Sequence, residues 1–201
     1  MTLTYPKAAK LTVGHDPKED RLFLIFHLQD GGFRKAFLSR RMLGALLVRM
    51  SEELASSHPM AGYTAQRDEM LQMEHVASVS KPTQQGTGQV SQTSKSKPPD
   101  THAEPPKPAK ALRVPTTFAG VYYVTSAHLE IQHGELIVAF SGDYLNDNTG
   151  AHLIAALAMP RNEAHQVLRL LRDKAEFAGW NMDAPAQWLK PLEYGKALGV
   201  Q

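Results

Sequence analysis

Cysteine is absent from this chain of 201 residues. Its absence excludes disulfides, cysteine-ligated zinc, iron–sulfur clusters and thiol catalysis. Long apolar runs are also missing, since none approaches the roughly 20 residues that a membrane-spanning helix needs. The first residues, MTLTYPKAAK, lack the apolar core of a signal peptide. These absences predict a cytoplasmic protein with no membrane span.

Neither sign of charge dominates the sequence. The chain has 22 lysines and arginines against 20 aspartates and glutamates, a formal net charge of +2 with neutral histidines. This balance argues against a surface coated with positive charge for nucleic acid, although a local basic face remains compatible with it.

Familiar catalytic and metal-binding motifs are missing too. The nine histidines form no H-E-x-x-H or His-x-His pair, and no glycine-rich phosphate loop or G-x-S-x-G elbow is present. We therefore predict no enzyme activity, no cofactor and no metal. One histidine pair, His15 and His133, occupies equivalent turns, and a pocket lined by both would argue for an enzyme instead.

What the chain does contain is a pattern that occurs twice, at 11–54 and 129–176. Each copy begins with L-x-[VI]-x-H and continues with an apolar run, LFLIF from Leu22 and LIVAF from Leu136. A third apolar run follows, and then a helical stripe with apolar residues every three or four positions. The predicted fold class is α+β, with two repeated strand-strand-strand-helix units, each an antiparallel meander backed by a helix. We predict a pseudo-two-fold relation between the units, and the alternative is two unrelated meanders with a similar apolar pattern.

Three regions follow from this reading: a first unit at 1–78, a linker at 79–115 and a second unit at 116–201. The first unit ends in a weaker helix over 65–75, which we expect to pack on the sheet or on a partner. The linker is rich in Pro, Ser and Lys and too poor in apolar residues to offset its ordering entropy, so we predict that it is flexible. It is either a tether or a basic segment that touches nucleic acid or an acidic partner.

Basic residues recur near the third strand and the helix of each unit. With the aromatic residues of the strands they predict a basic, aromatic sheet surface, which is typical of proteins that hold single-stranded nucleic acid by stacking and charge. The paired sheet-and-helix units are similar in architecture to the Whirly single-strand binders, although no diagnostic motif of that family is present. The alternative is a set of solvated helix faces balanced by acidic neighbours. The candidate cations are Arg34, Lys35, Arg40, Arg41, Arg161, Arg169 and Arg172, and the candidate rings are Phe23, Phe33, Phe37, Tyr122 and Tyr123.

The C-terminal tail carries three further candidate residues, Trp180, Trp188 and Tyr194. They either anchor the tail on the fold or dock a partner, because Trp and Tyr are favoured interface anchors. Taken together, the sequence predicts a non-catalytic interaction or assembly protein, an adaptor or a structural component, with a protein partner or self-association. The alternative function is single-stranded nucleic-acid binding through the arginine and aromatic face.

Overall fold

The computed structural model describes residues 4–80, 118–145 and 147–190. Over these residues the chain forms one six-stranded mixed sheet and three α-helices, so the predicted α+β class is confirmed. A short 3-10 helix follows the last α-helix. In chain order the elements are β1 (Ala8–Asp16), β2 (Arg21–Leu28), β3 (Phe33–Leu38), α1 (Arg40–Ser56), α2 (Thr64–Ser80), β4 (Gly120–Gln132), β5 (Glu135–Tyr144), β6 (Asp147–Pro160), α3 (Arg161–Phe177) and the 3-10 helix Gln187–Leu189.

Local sequence explains where these elements begin and end. The turn between β2 and β3 uses Gly31, whose φ of 89° only glycine adopts without strain, and the Asp30 carboxylate accepts a hydrogen bond from Gly32 N at 2.9 Å. Helix α1 begins at an N-cap, Ser39, whose hydroxyl accepts from Met42 N at 3.2 Å. Helix α3 ends just before Gly179, at a φ of 72°. Both predicted helix caps are therefore in place.

The six strands follow one another in the sheet in the order β1 to β6. Neighbours are antiparallel except β3 and β4, which run parallel. The two outer strands also approach each other, because Lys7 forms a parallel bridge with Ala156 and Ala156 N donates to Pro6 O at 2.8 Å. The sheet is therefore strongly curved, and both of its edges are partly covered.

Alternation along the strands separates an inner face from an outer face. On β2 the inner residues Leu22, Leu24 and Phe26 are fully buried, and Phe26 lies 5.2 Å from Phe140 of β5, between ring centroids. Helices α1 and α3 close this inner face and contact each other. One core results, shared by both halves of the chain. Its helical members include Leu43, Leu46, Leu47, Met50, Leu54, Ala164, Leu168 and Leu171.

The weaker predicted helix over 65–75 is real and longer than predicted, since α2 spans Thr64–Ser80. It packs against α3 and buries Leu71 and Ser78, so tertiary contact extends a helix that its sequence pattern marks only weakly. Residues 79 and 80 of the predicted linker belong to α2. The rest of that linker, 81–115, lies outside the described residues, as does Tyr194.

Each half of the chain thus contains three strands followed by a helix, in the predicted order. The six strands form a single mixed sheet rather than two separate meanders, because β3 and β4 are joined by parallel pairing. The pseudo-two-fold relation itself remains a hypothesis. Where the structure is described, no helix is both long and apolar enough to cross a bilayer.

Candidate functional site

A row of aromatic side chains crosses three neighbouring strands on the outer face. Phe23 of β2 pairs with Phe37 of β3, and Phe37 pairs with Tyr123 of β4. The Phe37 and Tyr123 ring centroids lie 5.7 Å apart with the planes tilted by 34°. Residues in register on adjacent strands point to the same side of a sheet. The sequence therefore needs only correct strand pairing to bring these three rings together.

Two cations lie on the faces of these rings. The Lys35 ammonium is 4.9 Å from the Phe23 centroid and 4.5 Å from the Phe37 centroid. The Arg21 guanidinium is 5.0 Å from the Tyr123 centroid. Each distance is within the range of a cation–π interaction. We call these five residues, Arg21, Phe23, Lys35, Phe37 and Tyr123, the basic aromatic row.

No carboxylate of the described residues neutralises the charge of the row. Among residues 4–80, 118–145 and 147–190, neither Arg21 nor Lys35 forms an ion pair with a carboxylate. The neighbouring His27 adds no charge near neutral pH, because burial and then the charge of Lys10 lower its pKa. Its ring instead lies 3.2 Å from the Thr12 hydroxyl. The row therefore presents two uncompensated cations beside rings.

Glycine at position 14 sets the position of the first ring. Gly14 of β1 pairs with Phe23, and a Cβ at this position would overlap the Phe23 ring. The ring therefore lies flat over the glycine, with one face on the sheet and the other turned outward. The Lys35 side chain covers part of that outward face, and Phe37 is only 8% exposed.

Two of the predicted candidates that neighbour the row lie elsewhere. Arg34 lies on the inner face, where its Nη1 donates to the carbonyls of Leu153 and Ile154 at 2.7 and 2.8 Å. Its guanidinium also lies 5.7 Å from the Tyr122 centroid, so Tyr122 is an inner ring as well. Alternation explains this, because Arg34 and Tyr122 are one residue away from Lys35 and Tyr123, which face outward.

Three other candidates lie on the helices. Arg40 is exposed, 3.8 Å from the Asp20 carboxylate and 5.3 Å from the Trp180 ring. Arg41 is exposed on the first turn of α1. Arg169 pairs with Asp173 one turn later on α3, at 3.3 Å. None of the three joins the basic aromatic row. Phe33, the remaining candidate ring, packs edge-on against His27 with centroids 5.0 Å apart.

Arg161, the first residue of α3, is the centre of a partly buried network between the helices. Its Nε and Nη2 donate to the two carboxylate oxygens of Glu74 at 2.9 and 2.8 Å. The same guanidinium donates to the Ser57 hydroxyl at 2.6 Å and to the Leu54 carbonyl at 3.0 Å. It thereby joins the end of α1, the middle of α2 and the start of α3. This arginine is committed to the fold.

Two histidines lie beside the Glu74 carboxylate, and a third histidine, His75, lies beside one of them. His58 and the fully buried His165 lie 3.7 and 3.4 Å from Glu74 Oε2 through their Nε2 atoms. Burial acts to raise the pKa of Glu74, but the hydrogen bonds and charge of Arg161, helped by His165, outweigh it, so the pKa lies below its ordinary value. Burial lowers the pKa of His165 despite Glu74. His75, whose Nδ1 lies 3.2 Å from His165 Nδ1, has its pKa lowered to about 4, by burial first and then by His165 and two arginines.

Both tryptophans of the tail are buried. Trp180 and Trp188 are 1% and 3% exposed, and the Trp180 indole donates to Asp20 Oδ1 at 2.8 Å. These contacts anchor the tail on the fold, which is the first of the two predicted roles. Partner docking by these residues stays a prediction. Tyr194 lies outside the described residues.

The structure does not bring the candidate histidine pair together. His15 packs edge-on against Trp180 at the end of β1, with centroids 6.3 Å apart. His133 lies in the turn between β4 and β5, at a φ of 51°. No contact joins them in the part of the chain that the structure describes, where no group of histidine and carboxylate side chains is arranged to hold a metal ion.

Sequence reasoning missed Arg21 and Gly14. Both carry a recognisable signal, because Arg21 precedes Phe23 by two residues and so lies on the same face of β2. Gly14 interrupts an otherwise regular strand, which often marks a close approach by another group.

No protein-family model, curated protein or solved structure matches this chain.

Proposed function

We propose that this protein binds single-stranded nucleic acid through the basic aromatic row. The observation that carries the proposal is the coincidence of three rings in register on adjacent strands with two cations that have no carboxylate partner in the described part of the chain. Rings supply stacking platforms that tolerate any base, and cations attract the phosphates. The near-zero net charge of the chain is compatible with this proposal, because only the face that carries the row needs to be basic.

The row requires one rearrangement to work. Lys35 rests on the Phe23 and Phe37 rings in the free protein, where a base would stack. A nearby phosphate attracts the half-buried ammonium more strongly than a ring does, since a full negative charge with a charge-assisted hydrogen bond outweighs a cation–π contact. The flexible lysine stem then swings aside, and the outward face of Phe23 becomes available to a base.

The test is the binding of a fluorescent oligo-dT to the full chain across a salt series. We expect affinity to fall with salt, with a logarithmic slope of about −0.7 for each phosphate contacted by a cation. Replacing Lys35→Ala or Arg21→Ala should weaken binding several-fold and reduce the slope by about 0.7 each. The matched control is Arg49→Ala on α1, which removes one positive charge from a residue that is paired with Glu52 and Glu53.

The outcome of that experiment is decisive in either direction. If the control weakens binding as much as the two row variants, the effect reflects net charge and the row is not the site. If the wild-type chain shows no binding at low salt, the proposed function is rejected.

We also propose that the two halves are copies of one βββα unit related by a pseudo-two-fold axis. Two features support this: β3 and β4 pair in parallel, as do Lys7 and Ala156 beside β1 and β6, and α1 contacts β4 while α3 contacts β1. In each feature, the contact that the first half makes with the second half is repeated by the second half with the first, as a two-fold axis requires. Superposition of 8–56 on 120–177 should align strand with strand and helix with helix, and a mismatch in strand order would remove the proposal.

Self-association is a second candidate function, favoured by an exposed apolar stripe on and before α2. Tyr63, Met70, Met73 and Val76 are 64%, 40%, 66% and 51% exposed. The last three recur every third residue, so they share one side of the helix, and such stripes often mark interaction surfaces. We expect a dimer by light scattering and a monomer for Met73→Lys. A monomeric wild-type chain at about 100 μM, a concentration well above ordinary dimer affinities, argues against it.

A further inference from the structure

A cleft lies on the side of the molecule that carries α2, α3 and the residues after α3. Its volume is about 850 Å³, which is within the roughly 300–1,000 Å³ typical of small-molecule sites. The floor is apolar, with Leu47, Trp188 and Leu189 all at least nine-tenths buried. Val76 of α2 forms part of the wall. The cleft is therefore large enough to hold a small organic molecule, and its floor offers an apolar surface to the body of that molecule.

A half-buried cation on the wall of this cleft has no counterion among the residues that the structure describes. Arg172 of α3 is half-buried, and its Nη1 donates to the Leu189 carbonyl at 3.2 Å. Within the described segments it makes no ion pair, whereas Arg169, one turn before it, pairs with Asp173 at 3.3 Å. A half-buried guanidinium that spends one of its five N–H groups has donors in reserve for a ligand.

The other groups around Arg172 limit the charge of that ligand. His75 faces the same cleft and is neutral near pH 7, because burial and neighbouring cations hold its pKa at about 4. Asp173, Glu176 and Asp183 are exposed at the cleft, and so are the cations Lys190 and Arg169, of which Arg169 is paired with Asp173. With Arg172, three cations face three carboxylates, so the cleft has no excess of positive charge to attract a second negative charge on the ligand. A single negative charge next to an apolar body fits this combination.

We propose that this cleft binds a small organic monocarboxylate, with the carboxylate on Arg172 and the apolar body over Trp188 and Val76. A planar guanidinium matches a carboxylate with two parallel hydrogen bonds. The neutral His75 ring has its Nε2 atom left for a further hydrogen bond, because its Nδ1 lies 3.2 Å from His165 Nδ1. This site lies on the helices and is separate from the basic aromatic row of the outer face.

The test is a calorimetric titration of the full chain with 3-phenylpropanoate, with its neutral amide and with phenylphosphonate as comparison probes. We expect the carboxylate to bind with a dissociation constant below about 1 mM and the amide to bind at least about tenfold more weakly. Replacing Arg172→Gln should abolish the preference for the acid over the amide. Arg169→Gln, a matched change at a cation of the same cleft that is already paired with Asp173, should keep it.

Several results would overturn this proposal. Equal affinity for acid and amide in the wild-type chain shows that no cation binds the carboxylate. Absence of binding at a ligand concentration of about 10 mM rejects the site outright. Tighter binding of the doubly charged phosphonate rejects the preference for a single charge. If Arg172→Gln does not fold by circular dichroism, Arg172→Lys provides the second variant, and the wild-type comparison of acid with amide still decides. Lys35→Ala should leave carboxylate affinity unchanged, so failure here is distinguishable from failure of the nucleic-acid proposal.

Discussion

The cations of the outer face and those between the helices differ in what neutralises them. On the outer face, Lys35 and Arg21 rest on aromatic rings and, as far as the structure is described, have no carboxylate partner. Between the helices, Arg161 donates to both oxygens of Glu74 and to two further acceptors. A cation with four of its five N–H donors used stabilises the fold, while a cation without a counterion is available to an external anion. Net charge hides this difference, because it counts both kinds equally.

The largest effect should come from breaking the helix network. Arg161→Ala leaves the partly buried Glu74 carboxylate without its bidentate partner, and loss of one member of such a pair costs about 3 kcal/mol. We expect this decrease in the free energy of unfolding, measured in urea by circular dichroism. The control is Arg169→Ala, whose exposed pair with Asp173 is worth less than about 1 kcal/mol. Similar losses for both variants would show that Arg161 has no special structural role.

An intermediate effect should come from the row, and on binding rather than on stability. Phe23→Ala removes one stacking platform, so we expect oligo-dT affinity to fall by about 1–3 kcal/mol, or about 5- to 150-fold. Phe177→Ala is the control, since this ring is 80% exposed on α3 and lies outside the row. Anisotropy titrations of both variants decide the matter, and an equal loss of affinity in the two would contradict the proposed location.

Gly14→Val sharpens the same prediction without deleting a ring. The added side chain overlaps Phe23, so the ring must leave its position over β1. We expect a loss of affinity comparable to that of Phe23→Ala with Phe23 still present. Retained affinity in a folded Gly14→Val chain, as judged by its urea midpoint, would mean that the flat position of this ring does not matter.

The smallest effect should be the loss of folding stability at acid pH. A histidine whose pKa is lowered by folding contributes stability that is fully present above its unfolded value, about 6.5, and is lost as pH falls toward the folded value. For His75 the window therefore runs from about 6.5 down to about 4, and His165 acts in the same direction. The depressed pKa of Glu74 adds a further loss at lower pH, below about 4.5.

We therefore expect the urea midpoint to fall between about pH 7.5 and pH 5. His75→Asn should reduce this decrease, because one titrating group is removed from the helix layer. His133→Asn in the turn between β4 and β5 is the control, where asparagine tolerates the positive φ. An unchanged pH dependence in His75→Asn would show that this ring is not the source of acid sensitivity.

Much of the architecture could be read from short stretches of sequence. A continuous apolar run marked β2, the Asp30-Gly31-Gly32 turn ended it, and Ser39 and Gly179 capped helices, because each signal acts over a few residues. The sequence also allows the sheet face of each strand residue to be predicted. Period two separates Lys35 from Arg34, although their shared charge had suggested a common surface.

The sequence by itself determined the α+β elements, the turns, the caps and the residues that could form a basic aromatic face. Only the tertiary structure decided which cations remain without a counterion. Arg161 and Glu74 are 87 residues apart, and Trp180 and Asp20 are 160 residues apart, so no local pattern records either pairing. The physical reason is that a charge is neutralised by whatever lies within a few ångströms of it, and for long-range partners that distance is set by packing around the shared core.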